Sequence, residues 1–278
     1  MSIRSDADES TGYLSRLGLV VSTWVTQLVR PPSQAHRAEA MRRLMRNTLI
    51  TAVVAALLIV TLMIWFDAWE IALMPPRGAA GLRPFRILTD FGKDTNVLSL
   101  TAVLLLAVGL VAPAIHGPAR RRLLAIGLRL QFVLLAVSVP LVAGELLKWI
   151  VGRGRPFVGG RADGFNFVHF AGKEAYFSFP SAHSITAFAL AFAIAAIWPR
   201  LRGLMIAYAL MIAFTRLVLL AHHPSDVTAG ATIGIIGAMC VRYWFAARGL
   251  AFSIGDDGVI SPVAGRSLKG VAAGPPPP

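Results

Sequence analysis

Residues 48–66, TLITAVVAALLIVTLMIWF, form an unbroken stretch without a charged residue. A helix needs about 20 predominantly apolar residues to cross the hydrocarbon core of a bilayer. A second stretch with the same character occupies residues 97–115, VLSLTAVLLLAVGLVAPAI. Neither stretch shows the alternation of apolar and polar residues that is typical of strands in a membrane barrel. Both therefore predict helices that span a membrane.

The composition of the whole chain indicates the same class of protein. Of its 278 residues, 56% are hydrophobic and only 15% are charged, whereas charged residues make up about 25% of a soluble domain. Further apolar segments, which are shorter or carry a charge, lie at residues 123–147, 184–198, 203–221 and 226–245. We therefore expect an all-α fold, a bundle of six transmembrane helices that occupies residues 47–246 as one domain.

The two ends of the chain are predicted to lie outside this bundle. Residues 1–46 contain acidic residues early on and lack a convincing signal-peptide pattern. Their apolar stretch 17–29 is compatible with an amphipathic helix on the membrane surface and equally with a flexible tail. Residues 247–278 end in AAGPPPP, a low-complexity sequence that predicts a disordered tail.

The positive charge of the chain is distributed unevenly between the two sides of the predicted bundle. Most of the 27 Lys and Arg residues fall in the N-terminal segment, in region 116–129, in the turn 199–202 and beyond residue 241. Lys and Arg concentrate on the cytoplasmic side of membrane proteins. We therefore expect both termini in the cytoplasm. The net charge of +13 then reflects membrane topology and does not indicate a nucleic-acid partner.

Unusual polar residues gather at the opposite, extracytoplasmic ends of the spans. In KWIVGRGRP, Lys148 precedes a helix break in which Arg155 is followed by a proline. Two cations at such a break could hold a phosphate. Alternatively, Lys148 could extend to the interface and pair with Glu145 one turn earlier.

The stretch FPSAHS, residues 179–184, precedes the fourth predicted span. Ser181 is suited to cap that helix, and the free N–H groups of a first helical turn favour an anion. His183 lies in the same turn. Taken singly, Ser181 is explained by capping and His183 by a position at the membrane interface.

The stretch TRLVLLAHHPSD, residues 215–226, joins the last two predicted spans. A charge inside an apolar span, such as Arg216, indicates either a functional site or a structural ion pair. Asp226 follows His222 by four residues, so its carboxylate could accept the Nδ1–H of that imidazole. A metal site formed by His222, His223 and Asp226 is the alternative, but adjacent histidines usually point in different directions, and we expect no metal.

These three stretches resemble the motif of the type 2 phosphatidic acid phosphatase superfamily, which includes bacterial lipid phosphatases and vanadium haloperoxidases. The family pattern is Lys, six residues, Arg-Pro; then Pro-Ser-Gly-His; then Ser-Arg, five residues, His, three residues, Asp. The matching positions here are Lys148, Arg155, Pro156, Pro180, Ser181, His183, Arg216, His222 and Asp226. The chain departs from the pattern at Ala182, where the family has glycine, and at Thr215, where it has serine.

The resemblance implies a role for each of these residues. His222 is then the nucleophile that forms a phosphohistidine, Asp226 orients it, and His183 is the general acid and base. The phosphate is bound by Lys148, Arg155, Ser181, Arg216 and the backbone N–H near Ala182. No cofactor and no metal is implied, because protein cations supply the positive charge.

The resemblance implies an integral membrane lipid phosphatase of the bacterial inner membrane that acts on its extracytoplasmic face. Its substrate would be undecaprenyl pyrophosphate or monophosphate, phosphatidylglycerol phosphate, phosphatidic acid or a phosphate of lipid A. A lipid transporter or flippase, and a non-catalytic protein that binds lipid phosphates, are the alternatives. A transporter should place its polar residues near the bilayer midplane and show repeat symmetry. The related haloperoxidases are soluble, which argues against that activity here.

Overall fold

The structure, a computed structural model, describes residues 12–76, 78–156, 158–160 and 162–263. Nine α-helices lie in this described part: α1 Tyr13–Val29, α2 Arg37–Trp65, α3 Asp67–Leu73, α4 Arg83–Asp90, α5 Asp94–Val111, α6 Gly117–Val151, α7 Ala182–Ile197, α8 Arg202–Val218 and α9 Pro224–Ala247. A short antiparallel hairpin follows, with strands β1 Phe252–Ile254 and β2 Ile260–Pro262. The all-α prediction is therefore confirmed.

Five helical segments in the described part of the chain are long and apolar enough to cross a membrane. They are Arg37–Trp65, Ala80–Ala114, Gly117–Val151, Pro199–Val218 and Pro224–Ala247. The fourth predicted span corresponds to α7, an apolar helix of 16 residues, which is shorter than the about 20 residues that a full crossing takes. The count of six spans accordingly stays a prediction.

The exposed surface of the bundle has the apolar character that a lipid environment requires. On α2 the side chains of Leu57 and Ile64 are both more than half exposed, and most of this helix lies outside the core. Helix α7, in contrast, is largely buried and packs against α6, α8 and α9. Its burial places the first turn of α7, and the residues in it, inside the bundle.

The close approach of α9 to α7 depends on two glycines. A Cβ at Gly230 would lie 2.5 Å from the carbonyl oxygen of Ser181, and one at Gly234 would lie 2.5 Å from that of Ile185. Real Cβ atoms do not approach other atoms so closely, so larger residues would force these two helices apart. The glycines therefore fix the distance between the beginnings of α7 and α9.

A hydrophobic core joins α6, α7 and α9 near the other end of the bundle. The ring of Phe132 packs edge-to-face on Phe245 at 5.3 Å and on Phe252 at 4.8 Å between centroids. Phe252 belongs to β1, so residues 247–263 are ordered here where the sequence predicts a disordered tail. The reason is that Phe252 and Leu250 bury their side chains in this core. Residues 264–278 lie outside the described residues.

The segment 1–46 contributes two helices to the described structure. Helix α1 docks across one end of the bundle, where the Trp24 ring lies against Gly127 of α6 and Gly109 of α5. The hydroxyl of Tyr13 donates to the carbonyl of Leu110 at 2.8 Å. Helix α2 begins at Arg37, inside the predicted segment. The domain boundaries at 46 and 247 stay predictions.

Candidate active site

The chain turns sharply where α6 ends, and this turn buries Arg153, which lies two residues before Arg155 in KWIVGRGRP. Gly152 follows the helix with φ 58°, in the left-handed region, and a Cβ there would lie 1.8 Å from the carbonyl oxygen of Val168. Only glycine fits such a position without strain. The next residue, Arg153, is fully buried.

Lys148 and Arg155 lie on either side of this turn. The Nζ of Lys148 is 2.5 Å from the Oε1 of Glu145, so the pair considered from the sequence is present. Arg155 contacts the exposed carboxylate of Glu174 at 3.2 Å. Both carboxylates are largely exposed, at 51% and 84% of their side-chain surface. Such exposed pairs are weak, so a phosphate could displace these carboxylates from the two cations.

Ser181 begins α7 as its N-cap, as the sequence predicts. The Ser181 hydroxyl accepts from the backbone N–H of Ser184 at 3.5 Å. Ala182 is the first residue of the helix, where the backbone has ordinary helical geometry. Alanine in place of the family glycine therefore causes no backbone strain. Relative to the family glycine, Ala182 adds only one methyl group.

Arg216 lies in the last turn of α8 and is buried at 8% exposure. Its Nη1 donates to the hydroxyl of Thr89 at 2.8 Å. Thr89 belongs to α4, in the RILTDFGKD segment before the second predicted span. The contact holds the buried guanidinium against α4.

His222 is buried at 3% exposure in the turn between α8 and α9. Its Nδ1 lies 2.7 Å from the carbonyl oxygen of Ser178. A carbonyl only accepts, so Nδ1 carries the proton and Nε2 keeps its lone pair. Burial, followed by the positive charges of Arg216 and Arg155, lowers the pKa of His222 well below its ordinary value. The imidazole is thus neutral at physiological pH, in the tautomer that a nucleophile requires.

Electrostatic interactions show that the residues of the three motifs meet at one place. The positive charges of Lys148, Arg155 and Arg216 act on the imidazole of His222 and also on that of His183. Two histidines and three cations from α6, α7, α8 and their connections therefore lie near enough to one another to interact electrostatically. This arrangement suits a phosphoryl group, whose transfer depends mostly on positioning and on stabilisation of negative charge.

The structure differs from the predicted contact between Asp226 and His222. The Oδ1 of Asp226 accepts from Arg153 at 2.6 Å, while its Oδ2 accepts from the Ser178 hydroxyl at 2.6 Å and from the backbone N–H of His223 at 2.9 Å. The physical reason is that Asp226 is the third residue of α9, where a side chain folds back onto the N-cap backbone. Asp226 is therefore connected to the His222 imidazole through Ser178.

His223, the neighbour of His222, lies in the interior of the protein. Its side chain is fully buried, and it is the N-cap residue of α9. Burial is the main cause that lowers the pKa of its imidazole. In the described ranges, no group of three or more His, Cys, Asp and Glu side chains is placed to hold a metal ion. The trio His222, His223 and Asp226 accordingly does not converge as a metal site would.

Four buried polar residues of the site were missed by the analysis of the sequence. Arg153 pairs with Asp67 at 2.7 Å and with Asp226, and Ser225 accepts from Arg153 at 2.6 Å. Ser178 is the fourth. Two signals were available: Asp67 is the first charged residue after the uncharged run 48–66, and Arg153 follows the helix-breaking Gly152. Neither signal tells which residues become neighbours.

Known proteins resemble this chain over the part that carries the site. Residues 128–250 match the model of the PAP2 superfamily. The lipid A 1-phosphatase of Rhizobium johnstonii is 36% identical over 177 residues, which cover 62% of this chain and 71% of that protein. A protein of the same name from Rhizobium etli is 34% identical over 174 residues, 62% of this chain and 75% of the relative.

A third relative has a different name. The bacitracin transport permease protein BcrC of Bacillus licheniformis is 28% identical over 171 residues, 59% of this chain and 79% of that protein. No solved structure matches the chain. Two findings confirm the resemblance that the three motifs indicate. The PAP2 superfamily model matches the part of the chain that carries these motifs, and this chain aligns with more than two thirds of each Rhizobium protein. The chain therefore belongs to the PAP2 superfamily.

Proposed function

We propose that this protein hydrolyses a phosphate ester of a membrane lipid through a phosphohistidine on His222. Two broader predictions are confirmed: the family and the names of the relatives support a phosphoric monoester hydrolase, and the apolar helices support a multi-pass bacterial membrane protein. The observation that carries the mechanism is the bond from His222 Nδ1–H to the Ser178 carbonyl at 2.7 Å. It leaves Nε2 as a nucleophile among three cations.

In the first step, Nε2 of His222 attacks phosphorus and the bond from phosphorus to the lipid oxygen breaks. The electron pair of that bond goes to the oxygen, which takes a proton from His183. Lys148, Arg155 and Arg216 bind the phosphoryl oxygens, and the negative charge of the phosphate favours the protonated His183 that this step needs. The N–H groups at the beginning of α7 add further donors.

In the second step, His183 accepts a proton from water, and the water oxygen attacks the phosphohistidine. The bond between phosphorus and Nε2 breaks, its electron pair returns to the nitrogen, and inorganic phosphate leaves. Each residue then has the protonation state in which it began. Protein cations supply the positive charge in both steps, so we propose that the reaction needs no metal ion.

The substrate that the relatives favour is a phosphorylated lipid of the lipid A class. Two of the reported relatives are named lipid A 1-phosphatases, so a sugar-linked phosphate is our first candidate. Undecaprenyl pyrophosphate, phosphatidylglycerol phosphate and phosphatidic acid are the comparison substrates. A site at the helix ends can receive a headgroup while the acyl chains stay in the bilayer.

We propose that the site faces the extracytoplasmic side of the inner membrane. The site lies where α6 and α8 end and where α7 and α9 begin. The clusters Arg42–Arg43, Arg120–Arg122 and Arg200–Arg202 lie at the opposite helix ends. Positive charge favours the cytoplasmic side, so this distribution supports two cytoplasmic termini and a site on the other face.

Transport is the second candidate, because one relative is named a transport permease. The placement of the polar residues argues against it. His183, His222 and Arg216 lie in first turns, last turns and connections of helices, whereas transporters collect such residues at broken helices near the midplane. A phosphatase also accounts for the fixed tautomer of His222, which transport does not require.

The test is phosphate release by the purified protein in detergent, with EDTA, from each of the four lipid classes. We expect turnover of at least one of them, and a radioactive phosphoryl group that stays on the protein after a rapid quench. His222→Ala should lower turnover by several orders of magnitude and abolish the labelled protein, because no other group can form the intermediate. Loss of activity in EDTA that Mg²⁺ or Zn²⁺ restores would refute metal independence.

His223→Ala is the matched comparison, since it removes a neighbouring buried imidazole that has no role in the proposed steps. We expect it to lower stability, because burial leaves a cavity when the ring is removed, while the folded fraction turns over and is labelled. A labelled His222→Ala protein, or a fully folded but unlabelled His223→Ala protein, would show that the nucleophile is assigned wrongly.

A further inference from the structure

We propose that Asp67 and Arg153 are positioning residues, which fix the orientation of His222 without touching the phosphate. The inference rests on the proposed nucleophilic role of His222 and deepens it. Arg153 occupies one of the six unspecified positions of the first motif, and Asp67 lies outside the region 128–250 that matches the family. Four buried residues, Ser178, Asp226, Arg153 and Asp67, are the links of a chain of hydrogen bonds that ends on His222.

The first link is Ser178, whose carbonyl oxygen accepts from Nδ1 of His222. Ser178 is held at two further points. Its backbone N–H donates to the carbonyl of Arg153 at 3.0 Å, and its hydroxyl donates to Oδ2 of Asp226 at 2.6 Å. With its N–H and hydroxyl both fixed, its carbonyl has one direction, and that direction sets the plane of the His222 ring.

The second link is the carboxylate of Asp226, and it depends on Arg153. The Oδ1 of Asp226 accepts a hydrogen bond from Nη1 of Arg153 at 2.6 Å. The backbone of Asp226 is also joined to α7, because the N–H of Ser181 donates to the carbonyl of Asp226 at 3.1 Å. A shift of Asp226 would therefore move both Ser178 and the N-cap of α7.

The third link is the guanidinium of Arg153, which donates to four different residues. Nη1 reaches Ser225 at 2.6 Å in addition to Asp226, while Nη2 reaches Asp67 at 2.7 Å and the carbonyl of Gly164 at 2.5 Å. Nε donates to the same carbonyl at 3.1 Å. Only the planar fork of arginine presents donors in these directions at once. A lysine would keep the charge and lose the geometry.

The fourth link is Asp67, the first residue of α3. Its Oδ2 accepts from Arg153 and from the hydroxyl of Ser225 at 2.5 Å, and its Oδ1 accepts from the N–H of Ser225 at 3.1 Å. Asp67 thus clamps Arg153 against the first turn of α9, beside Asp226. The segment after the first span thereby takes part in building the site.

The charges in this network make an informative variant possible. Asp67, Arg153 and Asp226 are all fully buried, so two carboxylates share one guanidinium. Removal of Arg153 would leave two buried carboxylates without their shared cation, which strongly destabilises a protein. Asp67→Asn removes one negative charge, leaves Arg153 paired with Asp226, and keeps an acceptor oxygen. We therefore expect this variant to fold with a less firmly held Arg153.

The experiment compares the steady-state kinetics of Asp67→Asn and wild type on a lipid phosphate and on an aryl phosphate. We expect kcat to fall about 10- to 100-fold, the range found when reacting groups are slightly misplaced. The KM, and the inhibition constant of inorganic phosphate, should stay within about twofold, because the three phosphate-binding cations are untouched. Both substrates should lose the same factor, since Asp67→Asn disturbs attack by His222 and leaves protonation of the leaving oxygen by His183 unchanged.

Three other variants complete the test. Asp256→Asn removes a fully exposed carboxylate at the other end of the molecule and should behave as wild type. Ser225→Ala removes one bridging hydroxyl and no charge, so it should fold even if Asp67→Asn does not, with a smaller fall in kcat at unchanged KM. Arg153→Lys should lose at least as much kcat as Asp67→Asn.

The outcomes separate this inference from the proposed function. An active wild type with Asp67→Asn and Ser225→Ala at wild-type kcat would overturn the positioning role alone. A parallel loss of kcat and of phosphate affinity in both variants would also overturn it, since that indicates a generally disrupted site. A wild type that hydrolyses no lipid phosphate would overturn the proposed function itself.

Discussion

Glu70 of α3 is a buried carboxyl group, and its substitution should change how the stability of the protein depends on pH. It is 5% exposed, and neither carboxylate oxygen has a hydrogen-bond partner among the described residues. Burial, and then the negative charges of Asp67 and Asp226, raise the pKa of Glu70 to about 8. The carboxyl group is therefore protonated in the folded protein at neutral pH and ionised in the unfolded chain.

The sign and size of the effect follow from linkage. Because the folded state holds a proton that the unfolded state releases, stability falls as pH rises from about 4.5 to about 8. The slope approaches about 1.4 kcal/mol per pH unit, and the total reaches about 5 kcal/mol. Glu70→Gln replaces the carboxyl group by a neutral group of the same shape, so this contribution to the slope should vanish.

The assay is the thermal unfolding midpoint in one detergent at pH 5.5, 6.5 and 7.5. The advantage of Glu70→Gln over wild type should grow by about 3 to 5 °C per pH unit, given about 2 to 4 °C per kcal/mol for a domain of this size. Glu174→Gln removes the same charge from a side chain that is 84% exposed and should leave the wild-type slope unchanged. A constant difference between Glu70→Gln and wild type over this range would refute the reasoning.

Three further predictions concern the site and its orientation. His183→Ala should lose most turnover on a lipid phosphate and far less on an aryl phosphate, whose leaving group needs less protonation; equal losses in a kinetic comparison would contradict its acid role. Asp163→Cys, in a Cys240→Ala background, should react with an impermeant thiol reagent in intact cells, and labelling only after the membrane is broken would reverse the proposed topology. Gly230→Ala should cost about 1–3 kcal/mol of stability by overpacking, together with activity, because its Cβ would lie 2.5 Å from the Ser181 carbonyl oxygen; an unfolding midpoint and turnover equal to wild type would show that the helices can move apart freely.

The sequence alone was sufficient for the class of fold and for the motif residues. Long uncharged runs such as 48–66 predict membrane helices because burial of apolar side chains in lipid depends on composition and length, which are local properties. The spacing from Arg216 to His222 likewise predicts a shared site, because a motif fixes residue types at set distances along the chain. Ser181 as a helix cap is a local property too, and its prediction is confirmed.

The tertiary structure alone decided how the site is supported. Asp67 and Arg153 are separated by 86 positions in the chain, and no periodicity of the sequence indicates that they meet. The same holds for the carbonyl of Ser178, which binds His222 where the sequence suggested Asp226. Backbone carbonyls are present at every residue, so a pattern of side chains cannot show which of them accepts a bond. Helix packing determines which carbonyl lies beside His222, and this packing depends on side chains far apart in the sequence.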